Sequence, residues 1–134
     1  MSASIIDGKA LSEQIREGLK REVDGLRERG VVPGLTVILV GDDPASQIYV
    51  RNKAKSCEKI GIRSEVIRMP GDTPEAELLS IIDGLNRNPE VHGILVQLPL
   101  PGHINEEKVL LAISPEKDVD GFHPVNVGNL SIGR

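Results

Sequence analysis

Tyr49 and Lys53 stand four residues apart, and on a helix that spacing sends both side chains off one face about one turn from each other. A phenol and an amine so placed can touch one substrate. The amine serves as a base where partial desolvation disfavours its charged form, and the phenol orients or relays the proton. The same spacing also fits a solvated helix face with a lysine stretched along it. Gln97 is the next candidate, at the end of an apolar segment. An uncharged amide beside a lysine holds it without fixing it in its protonated form, although Gln97 read alone is equally a hydrogen-bonded sheet residue. Asp118 and Asp120 lie in KDVDGFHP, where Asp-Gly is a turn signal and an acid needs no further role. His92, His103 and His123 share no ligand spacing, and Cys57 is the only cysteine, so neither a metal centre nor a disulfide is expected.

These residues need elements to carry them. From Lys9 to Arg29, Leu11, Ile15, Leu19, Val23 and Leu26 repeat at three and four and draw one stripe along a helix, with Asp7 to cap its start and Gly30 its end. Residues 35 to 41, LTVILVG, are an almost continuous apolar run bounded by turn residues, which suits a strand buried on both faces of a parallel sheet. Asp43 and Pro44 then open a helix that runs to about Ile60 and stops at Gly61. Val50, Ala54 and Cys57 form its apolar stripe, and the Tyr49 and Lys53 pair lies about a quarter-turn away, bordering the core without facing it. Residues 62 to 69 read as a second strand. Thr73 and Pro74 repeat the cap-and-proline signal, Leu78, Ile82 and Leu85 give the next helix its inward face, and Asn88 and Pro89 end it. Residues 91 to 98, VHGILVQL, are a third strand, PLPG turns the chain, a short helix covers roughly 105 to 113, and the tail from Ser114 to Arg134 shows turns without a clear period.

Helices alternating with buried strands predict an α/β fold, a three-layer open and mostly parallel sheet flanked by helices, in one domain over residues 1–134. Such sheets bind ligands at the carboxyl ends of their strands, where Gln97 sits. The 134 residues, 39% hydrophobic and 27% charged, have the balance of a folded globular chain. A net charge of -4 with only Tyr49 and Phe122 as aromatic rings excludes the basic, stacking surface that nucleic acids require. No apolar run reaches membrane-spanning length and the amino terminus lacks the pattern of a signal peptide, so a cytoplasmic protein is expected. No GxGxxG or P-loop follows a strand. LVGDDP reads instead as a turn with a helix cap.

Three segments in order, PGLTVILVGDDPASQIYVRNKAKSCEKIGI, HGILVQLPLPGHI and PEKDVDGFHPVNVGNL, with the opening IIDGKALSEQIR, resemble the bifunctional methylenetetrahydrofolate dehydrogenase/methenyltetrahydrofolate cyclohydrolase family of one-carbon metabolism. YVRNK, VQLPLP and KDVDG are the most specific words of the likeness, which extends over essentially the whole chain. It implies that Tyr49 and Lys53 are the active-site pair, that Gln97 positions the lysine, that Asp120 anchors the pterin ring of a tetrahydrofolate, and that Val96 and Leu98 flank it. It further implies hydride transfer from 5,10-methylenetetrahydrofolate to NADP, or NAD, and hydrolysis of the methenyl product to 10-formyltetrahydrofolate. Relatives continue into a dinucleotide-binding domain and return a carboxyl-terminal segment to the folate domain. Neither lies before Arg134, so this chain alone is expected to bind no nicotinamide cofactor, and to be monomeric where the family forms homodimers. A different class of reading is a stand-alone folate-binding module or scaffold.

Overall fold

A computed structural model describes residues 2–134. β1 (Gly34–Val40) is central, paired in parallel with β2 (Arg63–Met69) on one side and β3 (Gly93–Val96) on the other. Its position explains its composition. A strand with neighbours on both edges and helices over both faces has no solvated side, so apart from Thr36 it is apolar, and it is buried almost without a break. β2 lies at the edge and carries Arg63, Glu65 and Arg68 on its exposed positions, charges that discourage further strand pairing.

Alternation along the strands divides the core in two. Val37, Leu39 and Leu95 face one way and pack with Val50 of α2 (Pro44–Ile60). Ile38, Val40, Ile94 and Val96 face the other way and pack with Leu78 and Ile82 of α3 (Glu75–Arg87) and Val109 of α4 (Glu106–Ala112). The three-layer arrangement expected from the sequence is present, and among the described residues every strand pairing is parallel.

Local signals explain the boundaries. Asp7 caps α1 (Gly8–Glu28) by accepting from Ala10 N at 3.0 Å, and Asp43 caps α2 by accepting from Ser46 N at 2.8 Å. Gly61 ends α2 at φ 89°, a left-handed conformation that costs glycine little. Cys57 is buried on the inner face of α2, the packing role expected of it.

Three expectations are corrected. Thr73 does not cap α3. Its hydroxyl donates to Pro70 O at 2.6 Å, and Pro74, at ψ 142°, is itself the extended cap residue, so the helix begins one residue later at Glu75. β3 spans four residues rather than eight, because 92 and 97 only continue the ladder through single bonds, His92 N to Gly34 O and Gln97 N to Ile38 O, each 2.9 Å. The tail is not irregular. It forms a 3-10 turn (Pro115–Lys117) and a helix, α5 (Pro124–Ser131), whose start has the same cap-and-proline form as α2, with the His123 ring accepting from Val125 N. The apolar stripe expected along α1 is present and largely uncovered. Only Val23 of that stripe is buried, beside Gly61, where Arg27 Nε also donates to Gly61 O at 3.2 Å, while Leu11, Ile15 and Leu19 stay exposed. Among the described residues, no helix is long and apolar enough to cross a membrane.

Candidate active site

Lys53 leaves α2 toward the carboxyl end of β3, where Gln97 is the first residue past the strand. The backbone fixes Gln97 through its amide bond to Ile38 O, so its side chain begins from a rigid point. That side chain spans two partners: Oε1 accepts from Lys53 Nζ at 2.9 Å and Nε2 donates to Leu98 O at 3.1 Å. Only one orientation of the amide satisfies both, since an ammonium can only donate and a carbonyl can only accept. Lys53 is half-buried, and among the described residues it enters no ion pair. A lysine held by a neutral carbonyl and not by a carboxylate keeps its remaining hydrogen-bonding capacity for a ligand.

Lys53, Gln97, Leu95, Val96, Leu98, Asp120 and Phe122 line one cavity of about 240 Å³. A wider cleft of about 430 Å³ lies at the amino-terminal end of the sheet, but its polar groups are already engaged. There Arg63 Nη2 donates to Glu90 O at 2.6 Å, and the His92 ring accepts from Gly34 N at 3.0 Å. The smaller cavity is where Lys53, Gln97 and Asp120 converge, and it lies at the strand ends where open parallel sheets take ligands.

The two acids of KDVDG have opposite environments. Burial alone would push Asp118 up, but hydrogen bonds from the Asn126 side chain and from the backbone amides of His123, Gly121 and Phe122 outweigh it and hold the carboxyl below its ordinary range. Its oxygens accept from Asn126 Nδ2 at 2.9 Å, His123 N at 2.8 Å and Gly121 N at 3.1 Å. Asp118 therefore builds the loop. Asp120, two residues on, lies at the cavity rim with its carboxyl pushed above the ordinary value. Loss of water is the main cause, opposed by the Lys53 charge and reinforced by that of Asp118, and no hydrogen bond among the described residues pulls it back. An acid left without protein partners beside a cavity is available to one arriving from outside.

The loop role of Asp118 predicts a specific pH dependence. A carboxyl with a depressed folded pKa adds stability above its unfolded value, and that stability is lost as pH falls through the folded value. Asp118→Ala is expected to cost roughly 1 to 3 kcal/mol at pH 7, toward the lower figure because the group is partly solvated. The gap between the two proteins is expected to close in acid as the unmodified carboxylate takes up its proton. Urea unfolding of both at pH 7 and at successively lower pH checks this. A gap that persists at the acid end would show that the charge is not what the loop uses.

Of the residues singled out in the sequence, Lys53, Val96, Gln97, Leu98 and Asp120 come together around this cavity. Tyr49 does not join them. It lies one turn back on α2, 60% exposed and outside the lining. Phe122 and Leu95 line the cavity without having been singled out. Phe122 carried one usable signal, an aromatic ring just past an Asp-Gly turn, and its ring is 52% exposed against the cavity. The three histidines serve separate parts of the fold, with His103 Nε2 placed 2.7 Å from Thr73 O. Among the described residues, no three His, Cys, Asp or Glu side chains gather as a metal site would require.

Residues 6–120 match the family described as tetrahydrofolate dehydrogenase/cyclohydrolase, catalytic domain. Bifunctional protein FolD of Moorella thermoacetica is 60% identical over 133 residues, which cover 99% of this chain and 48% of that one. The crystal structure of the bifunctional enzyme FolD from Campylobacter jejuni superposes with a TM-score of 0.96 at 52% identity, over 98% of this chain and 47% of that one. The Trypanosoma brucei methylenetetrahydrofolate dehydrogenase-cyclohydrolase, described as complexed with NADP cofactor and inhibitor, superposes with a TM-score of 0.92 at 41% identity, over 98% and 46% of the two chains. The chain spans about half the length of each of these relatives.

Proposed function

Since the chain belongs to the tetrahydrofolate dehydrogenase/cyclohydrolase catalytic-domain family, we propose that it binds a tetrahydrofolate at the β3 end of its sheet and hydrolyses the 5,10-methenyl form to 10-formyltetrahydrofolate. The observation that carries this reading is the Lys53 to Gln97 contact facing Asp120 across one cavity. In hydrolysis, a water oxygen bonds to the bridging methenyl carbon and one water proton is released; the bond from that carbon to N5 then breaks as N5 takes a proton and the new hydroxyl gives up its own, leaving the formyl group on N10 and a hydrogen on N5. Lys53 is the group that takes or directs the proton, held on target by Gln97. The Asp120 carboxylate accepts N–H bonds from the pterin, and Leu95, Val96, Leu98 and Phe122 give the ring an apolar bed.

Hydride transfer to NADP is a reaction of the family for which these residues do not supply the nucleotide site. The strand-to-helix turn after β1 is the place where an open α/β sheet would offer amides to a pyrophosphate. Here Asp43 already occupies that helix end, its carboxyl held below the ordinary range by hydrogen bonding to Ser46. A second anion would meet a fixed negative charge. No step through the nucleotide is assigned to this chain, and its share of the dehydrogenase reaction is to hold and orient the folate.

Calorimetric titration tests the reading. Tetrahydrofolate is expected to saturate this chain, and NADP and NAD to give no saturable heat. Saturation by a nucleotide with none by tetrahydrofolate would reverse the assignment. Folate binding with no hydrolysis of the methenyl form would leave a binding module.

A further inference from the structure

Asp120 reaches the cavity from a loop, and a loop holds a carboxylate in place only if something pins it. Two contacts tie this loop to β3. Ile94 and Asp118 form an isolated parallel bridge, which ties the start of the loop to the strand. Beside that bridge, Val119 sits directly over Gly93. A methyl group at Gly93 would fall 2.6 Å from Val119 Cγ1 and 3.2 Å from Leu35 Cδ1. Gly93 is ordinary strand and is not among the glycines of positive φ, so backbone freedom does not explain the residue. The explanation is space: the strand lacks a side chain where the loop inserts one.

Val119 is stiff about χ1, being β-branched, and is 54% exposed on its outer side. Its neighbours turn elsewhere, Asp118 into the hydrogen bonds of the loop and Asp120 to the cavity. The depth of Val119 in the Gly93 notch therefore sets the height of Asp120 over the β3 end. Leu95 and Val96 of the same strand, and Gln97 just past it, line the cavity, so one rigid element gauges both sides of the site.

We propose that Gly93 is a positioning residue, the seat for Val119 that fixes where the Asp120 carboxylate meets the pterin. The inference rests on the folate reading above. Carbon atoms in contact rest about 3.5 to 4.0 Å apart, so a methyl at Gly93 demands roughly 1 Å of retreat from Val119. A displacement of about 1 Å in a positioned group costs on the order of 10²-fold in rate.

The test is a double-mutant cycle with tetrahydrofolate as the probe, followed by calorimetry and by carbon-13 NMR titration of the Asp120 carboxyl in the unliganded protein. Gly93→Ala pushes the loop out, and Val119→Ala leaves the notch empty. Each is expected to weaken binding, Gly93→Ala by about tenfold or more, and to return the Asp120 titration toward that of a solvated carboxyl. The double variant refills the notch from the strand side and is expected to bind better than Gly93→Ala alone. A merely structural glycine would give additive losses in the double variant and an Asp120 titration that does not move. Either result overturns the inference. Should Gly93→Ala not fold, Val119→Ala with the NMR readout decides, and an unmoved titration counts against the proposal. If the unmodified chain does not bind tetrahydrofolate, the folate reading fails by itself, and the titration still judges the Gly93 seat.

Discussion

Asp120→Ala is expected to weaken tetrahydrofolate binding by at least about 30-fold, the ratio equivalent to roughly 2 kcal/mol for the lost partner of a charged hydrogen bond. The fold itself is expected to lose nothing. In the empty protein the Asp120 carboxyl lies above its ordinary value, because it gives up water and faces Asp118. An acid raised on folding favours the folded state at low pH and becomes a cost as pH rises through the folded value. Removing it at pH 7 is therefore expected to leave the unfolding midpoint unchanged or slightly higher. The same elevation carries a signature in binding. In the proposed site the carboxylate form is the one that accepts the pterin N–H groups, so affinity is expected to fall, as pH is lowered, earlier than a solvated aspartate would allow. Calorimetry across pH on the unmodified chain and on Asp120→Ala checks both points, with the Asp118→Ala protein as the contrast that loses stability. Equal binding losses at the two acids with equal losses of stability would mean that the loop, not the Asp120 carboxylate, holds the ligand.

That contrast also marks what sequence can and cannot carry. Asp118 and Asp120 are the same residue type two positions apart, and composition cannot rank them. Their separation comes from Asn126 and the backbone of 121 to 123 folding back onto one carboxylate and leaving the other free. β1 and α2 were legible because their signals are local: an apolar run for a central strand, and Asp43-Pro44 with Gly61 as punctuation. The approach of Lys53 to the end of β3 does not follow from those two elements, because their crossover joins β1 to β2 while β3 lies on the other side of β1; the family resemblance implied it and the Lys53 to Gln97 contact displays it. The length of β3 was not legible, because apolar residues at 91 and 98 are buried or half-buried by packing and not by pairing.

The other misreadings have similar causes. α5 was hidden because an eight-residue helix shows barely two turns of period, although His123-Pro124 matched the start signal already accepted at Asp43-Pro44. The exposed stripe of α1 shows the limit of periodicity, which identifies a helix and its apolar face but not what covers that face. Tyr49 stands on the same side of α2 as Lys53, as its spacing implies, one turn from the residues that line the cavity and 60% exposed.

The central claim is that Lys53 performs chemistry and does not merely hold a ligand, and the hydrolysis of 5,10-methenyltetrahydrofolate by Lys53→Gln tests it most directly. Glutamine keeps a donor near Gln97 but cannot accept and pass on a proton as an amine does, so tetrahydrofolate affinity is expected to stay within about tenfold of the unmodified protein. The catalysed rate above the spontaneous background is expected to fall by about 10² to 10⁴, the usual contribution of a positioned acid or base. The measurement is made on this chain, and again with the chain joined to the second half of its Moorella thermoacetica relative, so that a pocket completed by that half is also sampled. Loss of hydrolysis with binding retained is the result this account predicts. Hydrolysis by Lys53→Gln at the rate of the unmodified protein would contradict it and leave Lys53 as one polar wall of a binding site.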